Sequence, residues 1–190
     1  TQAAQRLLGD DEPDLATARQ ALAQSAQQAR RAADVVGRLR RLVQPADPGA
    51  APQALGLQAA VRQVLYLLAP QIDQLGVQAD ASAVPEGLKV LADPVALEQV
   101  VHNLVLNALQ ALERVPAGKR QLRLAAQADG AALHLLVQDS GPGFAPAALA
   151  RAFEPFFTTR EGGLGLGLSL CETLAAGMGG ALSARNRPEG

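Results

Sequence analysis

Gln121-Leu122-Arg123-Leu124-Ala125-Ala126 and Leu133-His134-Leu135-Leu136-Val137, with Asp129-Gly130 between them, read as two β-strands joined by a turn. The second runs into Asp139-Ser140-Gly141-Pro142-Gly143, a carboxylate at a strand's end followed by glycines that let a ligand approach the backbone. Before this pair, Pro94 to Arg114 reads as a strong helix, with Asp93 available as N-cap and Pro94 at the first helical position. Gly87-Leu88-Lys89-Val90-Leu91 reads as a short strand ending at Asp93-Pro94. Leu55 to about Leu75 is helical in pattern, with Leu57, Val61, Val64, Leu65, Leu68 and Ile72 near helical spacing. After the pair, a glycine-rich stretch from Ser140 to Gly167 leads into a helix through Ala176, and Ala181 to Arg185 is a further candidate strand. This order predicts an α+β fold: a two-layer α/β sandwich whose mixed, mostly antiparallel sheet is covered by helices.

The chain of 190 residues suits one domain, or one domain with a helical appendage. About a fifth of it is alanine and only 3% aromatic, so the core must be built from Leu, Val and Ala. A net charge of −1, without a basic stripe interleaved with aromatics, argues against nucleic acid as a partner. Cys171 is the single cysteine, which excludes an internal disulfide and a Cys-based zinc site. His102 and His134 are too few for a His-rich metal centre. No apolar run approaches the roughly 18 residues of a membrane span. The expectation is a cytoplasmic chain without membrane contact of its own, whose parent protein can be anchored elsewhere.

The N-terminal part has a different pattern. Thr1 to Leu8 reads as the end of a helix stopped at Gly9, and Asp10-Asp11-Glu12-Pro13-Asp14 as a turn opening the next helix. From there Leu15, Ala18, Leu22, Ser25, Ala29, Ala32, Val36, Leu39 and Val43 alternate spacings of three and four, a weak coiled-coil seam. Arg30, Arg31, Arg38, Arg40 and Arg41 form either a docking surface for an acidic partner or a solvated face with cations near a helix C-terminus. Gln44 to Pro52 holds three prolines and a glycine and cannot continue a helix. The expected domains are a partial helical hairpin over 1–46, a linker over 47–54 and a main domain over 55–190.

Three clusters carry chemistry. Asn103 and Asn107 are four apart on one face of the helix after Asp93, with Gln110 and Arg114 close to that face. An amide carbonyl is a hard neutral oxygen able to ligate Mg²⁺ beside phosphates, although two asparagines on an amphipathic helix are usually solvent-facing. Asp139 can accept a hydrogen bond from the exocyclic amino group of adenine, where guanine presents an oxygen; the plainer reading is a turn closing a strand. Gly162-Gly163-Leu164-Gly165-Leu166-Gly167-Leu168-Ser169-Leu170 places backbone N–H groups ahead of a helix N-terminus, where an anion is favoured. It lacks the Gly-Lys-Ser/Thr ending of a P-loop and the parallel βαβ setting of a dinucleotide fingerprint.

In chain order, Asn103-Leu-Val-Leu-Asn107-Ala, Asp139-Ser-Gly-Pro-Gly, Phe153-Glu-Pro-Phe-Phe-Thr-Thr-Arg160 and Gly163-Leu-Gly-Leu-Gly-Leu168 resemble the nucleotide-binding boxes of sensor histidine kinases, within the superfamily that includes gyrase, Hsp90 and MutL. The resemblance implies a two-component signalling protein with ATP and Mg²⁺ as cofactors. It implies Asn107 as the Mg²⁺ ligand and Asn103 beside the phosphates, Asp139 on the adenine amino group, and Gly141 and Gly143 shaping that pocket. Phe156, Phe157, Thr158, Thr159 and Arg160 would begin a mobile ATP lid, with Arg160 standing where the family commonly has Lys. Gly163, Gly165, Leu166, Gly167 and Leu168 would line the phosphates with backbone donors. Asn103 and Arg160 are the implied catalytic residues.

Hydrolysing relatives carry a Glu four residues before the Mg²⁺-binding Asn; here Asn103, a poor general base, favours transfer to a side chain. The resemblance further implies a homodimer through the helical hairpin and a response regulator receiver domain as recipient. The family's phospho-accepting His lies in a His-Glu-type motif that Thr1 to Leu8 lacks, and neither His102 nor His134 fits it. An acceptor upstream of residue 1, little autophosphorylation by this chain alone, and a final strand missing after Gly190 are therefore expected. The alternatives are a nucleotide-binding regulatory module or pseudokinase, and less so an ATP hydrolase.

Overall fold

The computed structural model describes residues 15–26, 28–29, 52–130, 132–160 and 163–187. The chain divides into two units, Thr1–Val43 and Gln44–Gly190. In the first, residues 15–26 and 28–29 are helical. Ala18 of the expected seam is buried, whereas Leu15 and Leu22 are 57% and 47% exposed. The readings made for Thr1 to Asp14, for the arginines between 30 and 41, and for the proline-rich stretch up to Ala51 lie outside the described residues.

The second unit runs β1 (Gln53–Gly56), α1 (Leu57–Leu75), β2 (Gln78–Ala83), β3 (Lys89–Ala92), α2 (Pro94–Leu112), β4 (Gln121–Asp129), β5 (Ala132–Asp139), α3 (Pro146–Leu149) and α4 (Gly167–Gly177). β1 pairs antiparallel with β3, while β4 is flanked by β2, parallel, and β5, antiparallel. The expected mixed, mostly antiparallel sheet is thus present as a two-stranded and a three-stranded piece among the described residues. Leu122, Leu124 and Ala126 alternate on the buried face of β4. Against them pack Leu57, Val61, Val64, Leu68 and Ile72 of α1, and Val101, Val105, Leu109 and Leu112 of α2, as one apolar core. Burying a Leu or Val side chain contributes about 1.5–3 kcal/mol, so this layer of aliphatics replaces the missing aromatics.

Helix ends follow local chemistry. Asp93 caps α2, its Oδ1 accepting the Ala96 N–H at 2.8 Å, with Pro94 at the start as the sequence predicts. Gly76 (φ +61°) ends α1 in a Schellman motif: its N–H donates to Asp73 O and that of Val77 to Ile72 O. Arg120 donates to Leu75 O at 2.6 Å, Val115 O at 2.8 Å and Glu113 O at 3.4 Å, tying its cation to the carbonyl ends of α1 and α2.

Several expectations are corrected. β1 begins at Gln53, inside the stretch read as linker, and the helix starts at Leu57, not Leu55. β2 has no counterpart in the sequence reading. Residues 181–185 form no strand: among the described residues they make no backbone hydrogen bond to a neighbour, and the segment is held instead through the Asn186 side chain. α2 stops at Leu112, two residues before Arg114.

Candidate functional site

α2 is the spine of the site. Its core-facing residues turn the opposite side toward α4 and the end of β5, with which it packs. Asn107 lies on that side, half-buried, and its carboxamide faces Gly167, the first residue of α4. A Cβ on Gly167 would sit 3.5 Å from both Oδ1 and Nδ2 of Asn107. Among the described residues the Asn107 side chain makes no hydrogen bond, so its oxygen is free to ligate.

One helical turn further along α2, about 6 Å at 1.5 Å per residue, Ala111 receives the turn that follows β5. A Cβ on Gly141 would lie 2.9 Å from Ala111 Cβ and 2.5 Å from Asp139 Oδ1, so only glycine lets this turn close on the helix. The Gly141 N–H donates to Asp139 Oδ1 at 2.7 Å. Burial pushes the Asp139 carboxyl above its ordinary value, against the opposing pull of the Gly141 N–H and the Arg187 charge. Ser140 anchors the same turn: its Oγ donates to Lys119 O at 2.7 Å and accepts the Gln121 N–H at 2.9 Å.

The phenylalanine and glycine boxes form the two sides of one bend. The Phe156 N–H donates to Gly165 O at 2.9 Å, and the Gly163 N–H to Arg160 O at 3.1 Å. Gly165 has φ +64°, and a Cβ there would strike the backbone of Phe156 and Phe157. A Cβ on Gly163 would lie 2.5 Å from Thr158 Oγ1, which accepts the Arg160 N–H at 3.1 Å. Phe156 itself has φ +66° and is 68% exposed, while Phe157 stacks under the Arg151 guanidinium at 4.2 Å. Thr159 is exposed, Leu166 is buried at the N-cap of α4, and Leu168 lies in its first turn. The first amides of any helix lack intrahelical partners, which suits this end to an anion.

Two of the predicted residues are held elsewhere. Asn103 is 5% exposed and its Oδ1 accepts from Gln99 Nε2 at 3.1 Å, while Cys171 of α4 donates through Sγ to Val100 O at 3.9 Å. The Asn103 amide is thus buried and bonded within α2. Arg160 donates to Gln110 Oε1 and lies 4.0 Å from Glu113, joining the phenylalanine box to the end of α2. Among the described residues no group of three or more His, Cys, Asp or Glu could hold a metal ion. The Asn107 carboxamide offers a hard neutral oxygen, of the kind that ligates Mg²⁺ beside phosphate oxygens.

Residues 92–190 match the family described as histidine kinase-, DNA gyrase B- and HSP90-like ATPases. The chain belongs to this family. Within this ATPase family it is 31% identical over 187 residues to the sensor histidine kinase TmoS of Ectopseudomonas mendocina, covering 97% of this chain but 19% of that protein. The catalytic domain of histidine kinase ThkA superimposes with a TM-score of 0.63 at 28% identity, over 73% of this chain and 89% of that one. Full-length ShkA, in complex with AMPPNP, gives a TM-score of 0.68 at 28% identity, over 93% of this chain and 37% of that one. The chain thus carries the ATP-binding domain of the sensor histidine kinases and spans a minor part of the length of such curated relatives.

Some residues of this ATPase domain that touch the site escaped sequence reasoning. Ala111 sits on the same helical face as Asn103 and Asn107, a signal that was present but pointed to no contact; Gln110, read from the sequence as close to that face, was given no partner there and bonds Arg160. Asn186 meets the turn after Asp139 from 42 residues away, and no local pattern announces it.

Proposed function

We propose that this chain is the catalytic portion of a sensor histidine kinase, binding Mg·ATP and transferring its γ-phosphoryl group to a histidine, from which it passes to an aspartate of a response regulator receiver domain. The observation that supports this reading is that two of the glycine turns meet α2 one helical turn apart: Gly167 of α4 against Asn107, and Gly141, with Asp139, against Ala111. Asp139 accepts the adenine amino group, and Gly141 and Gly143 shape the pocket. The amides of Gly163, Gly165, Leu166, Gly167 and Leu168 meet the phosphates. Asn107 holds Mg²⁺, which supplies neutralisation of phosphate charge. Phe156, Thr158, Thr159 and Arg160 cover the phosphate end, with Arg160 leaving Gln110 when nucleotide arrives. The packing supports a positioning role for Asn103, one turn behind Asn107.

In the transfer, the bond from the γ-phosphorus to the β–γ bridging oxygen breaks, a phosphorus–nitrogen bond to imidazole forms, and ADP leaves. Asn103 stands four residues before Asn107 in place of a carboxylate and is a poor general base, which supports transfer over hydrolysis. His102 is half-buried in α2 and His134 is exposed on β5 opposite Gln127. The proposed acceptor is therefore another histidine, presented by a helical bundle. Leu15 and Leu22, seven apart and exposed, support dimerisation through that helix. No described helix is long and apolar enough to cross a membrane.

The test is to mix the chain with a histidine-bearing bundle fragment and γ-labelled Mg·ATP. Acid-labile phosphohistidine on the fragment is the expected result. Label on His102 or His134, or none at saturating nucleotide, contradicts the kinase reading; the second outcome leaves a nucleotide-binding regulator.

A further inference from the structure

Beyond the Ser140 anchor at its start, the turn after Asp139 is held at Gly141 and at Phe144, and only the former belongs to the nucleotide boxes. At Gly141 it rests on Ala111 of α2. At Phe144 it is held by a side chain from the segment after α4: Asn186 Nδ2 donates to Phe144 O at 2.7 Å, and Asn186 Oδ1 accepts the Phe144 N–H at 2.8 Å. One carboxamide thereby satisfies both backbone groups of one residue, as a neighbouring strand would. Asn is well suited to this, since Asp lacks the donor, Ser is too short and Ala offers neither group.

The intervening Gly143 is fitted to this arrangement. Its φ is +70°, and a Cβ there would stand 2.8 Å from Asn186 Oδ1. Gly141 and Gly143 bring no side chains of their own, and Phe144 is half-buried at most, so burial alone does not fix the turn. The segment carrying Asn186 forms no ladder with β5, which leaves the carboxamide pair as its hydrogen-bonded link to this turn among the described residues.

We infer that Asn186 is a positioning residue for base recognition: by clipping Phe144 it holds the Gly141–Phe144 turn on α2 and so aims the Asp139 carboxylate at the exocyclic group of the base. It touches no nucleotide itself. The inference rests on the reading above that Asp139 meets the adenine amino group. A clip of this kind governs selectivity between bases more than affinity for phosphates, because the phosphate end is built from Asn107 and α4, on the other side of the site.

The experiment measures binding of Mg·ATP and Mg·ITP to the 190-residue chain and to its Asn186→Ala and Asn186→Asp variants. Inosine carries a carbonyl oxygen where adenine carries its amino group. The wild type is expected to favour ATP at least about tenfold. In Asn186→Ala, ATP binding weakens about fivefold for the lost hydrogen bonds, while ITP stays within about twofold of wild type, so the preference collapses. Asn186→Asp, which keeps the acceptor, falls between the two and carries the prediction should the alanine variant not fold. Faster amide exchange at Phe144 in either variant accompanies the effect. Equal weakening of ATP and ITP marks a merely structural cross-link and overturns the inference, as does an unchanged preference. A wild type that binds both alike overturns the Asp139 reading itself; a wild type that discriminates while the variants do so equally overturns only the role of Asn186.

Discussion

Asp139 keeps a carboxyl part-buried at the end of β5, where burial raises its pKa from the ordinary 3.8. Below that value the group is protonated in both folded and unfolded chains and costs nothing. As pH rises through the raised folded value, the folded state must ionise a desolvated acid, and stability is lost. Asp139→Asn removes that cost. The nucleotide-free variant is expected to melt above wild type at pH 7, with the difference closing toward pH 3.5, while its affinity for ATP falls. A variant melting below wild type at neutral pH contradicts the account.

Gly165 makes the opposite case, because its conformation is the constraint. Gly165→Ala combines φ +64° with a clash against the Phe156–Phe157 backbone, and is expected to cost about 1–3 kcal/mol in urea unfolding together with nucleotide affinity. Cys171, fully buried with its thiol pushed up to about 11, should resist alkylation in the native protein and react only on unfolding. At this scale the sequence was informative where chemistry was local: Asp139, Gly141, Gly143 and Asn107 form compact patterns. For Asn103 the sequence was less informative, because its position four before Asn107 does not announce that it is buried and bonded to Gln99.

Among the elements, Arg120 links helices that the sequence leaves separate. Its hydrogen bonds to carbonyls at the ends of α1 and α2 predict that Arg120→Met destabilises the folded chain by about 2 kcal/mol while leaving nucleotide affinity within error. Thermal melts and ATP titrations of the same variant separate the two effects. α1, α2, β4 and β5 were legible because periodicity, the Asp93-Pro94 start and the Asp129-Gly130 turn are local signals. β1 and β2 were not. Gln78-Ala-Asp-Ala-Ser-Ala has little β-propensity, and its pairing with β4 comes from tertiary context, with Asp80 Oδ1 accepting the Ser82 N–H near the shift in register. Conversely, Ala181 to Arg185 has strand-like spacing but, among the described residues, no hydrogen-bonded partner for its backbone.

At the scale of the whole molecule, α2 is met by the turn after β5 at Ala111 and by the start of α4 at Asn107, while the phenylalanine box closes on Gly165. The order of the four boxes was the most informative feature of the sequence, since each alone had an ordinary structural reading. Their physical convergence was not legible from spacing: it depends on Gly167 meeting Asn107, Gly141 meeting Ala111, and Gly165 meeting Phe156. The central claim is tested most directly by equilibrium titration of the chain with Mg·ATP and Mg·GTP. One saturable site is expected, preferring ATP by about tenfold or more, with binding lost in Asn107→Ala. Absence of saturation at millimolar Mg·ATP, or equal affinity for the two nucleotides, would contradict it.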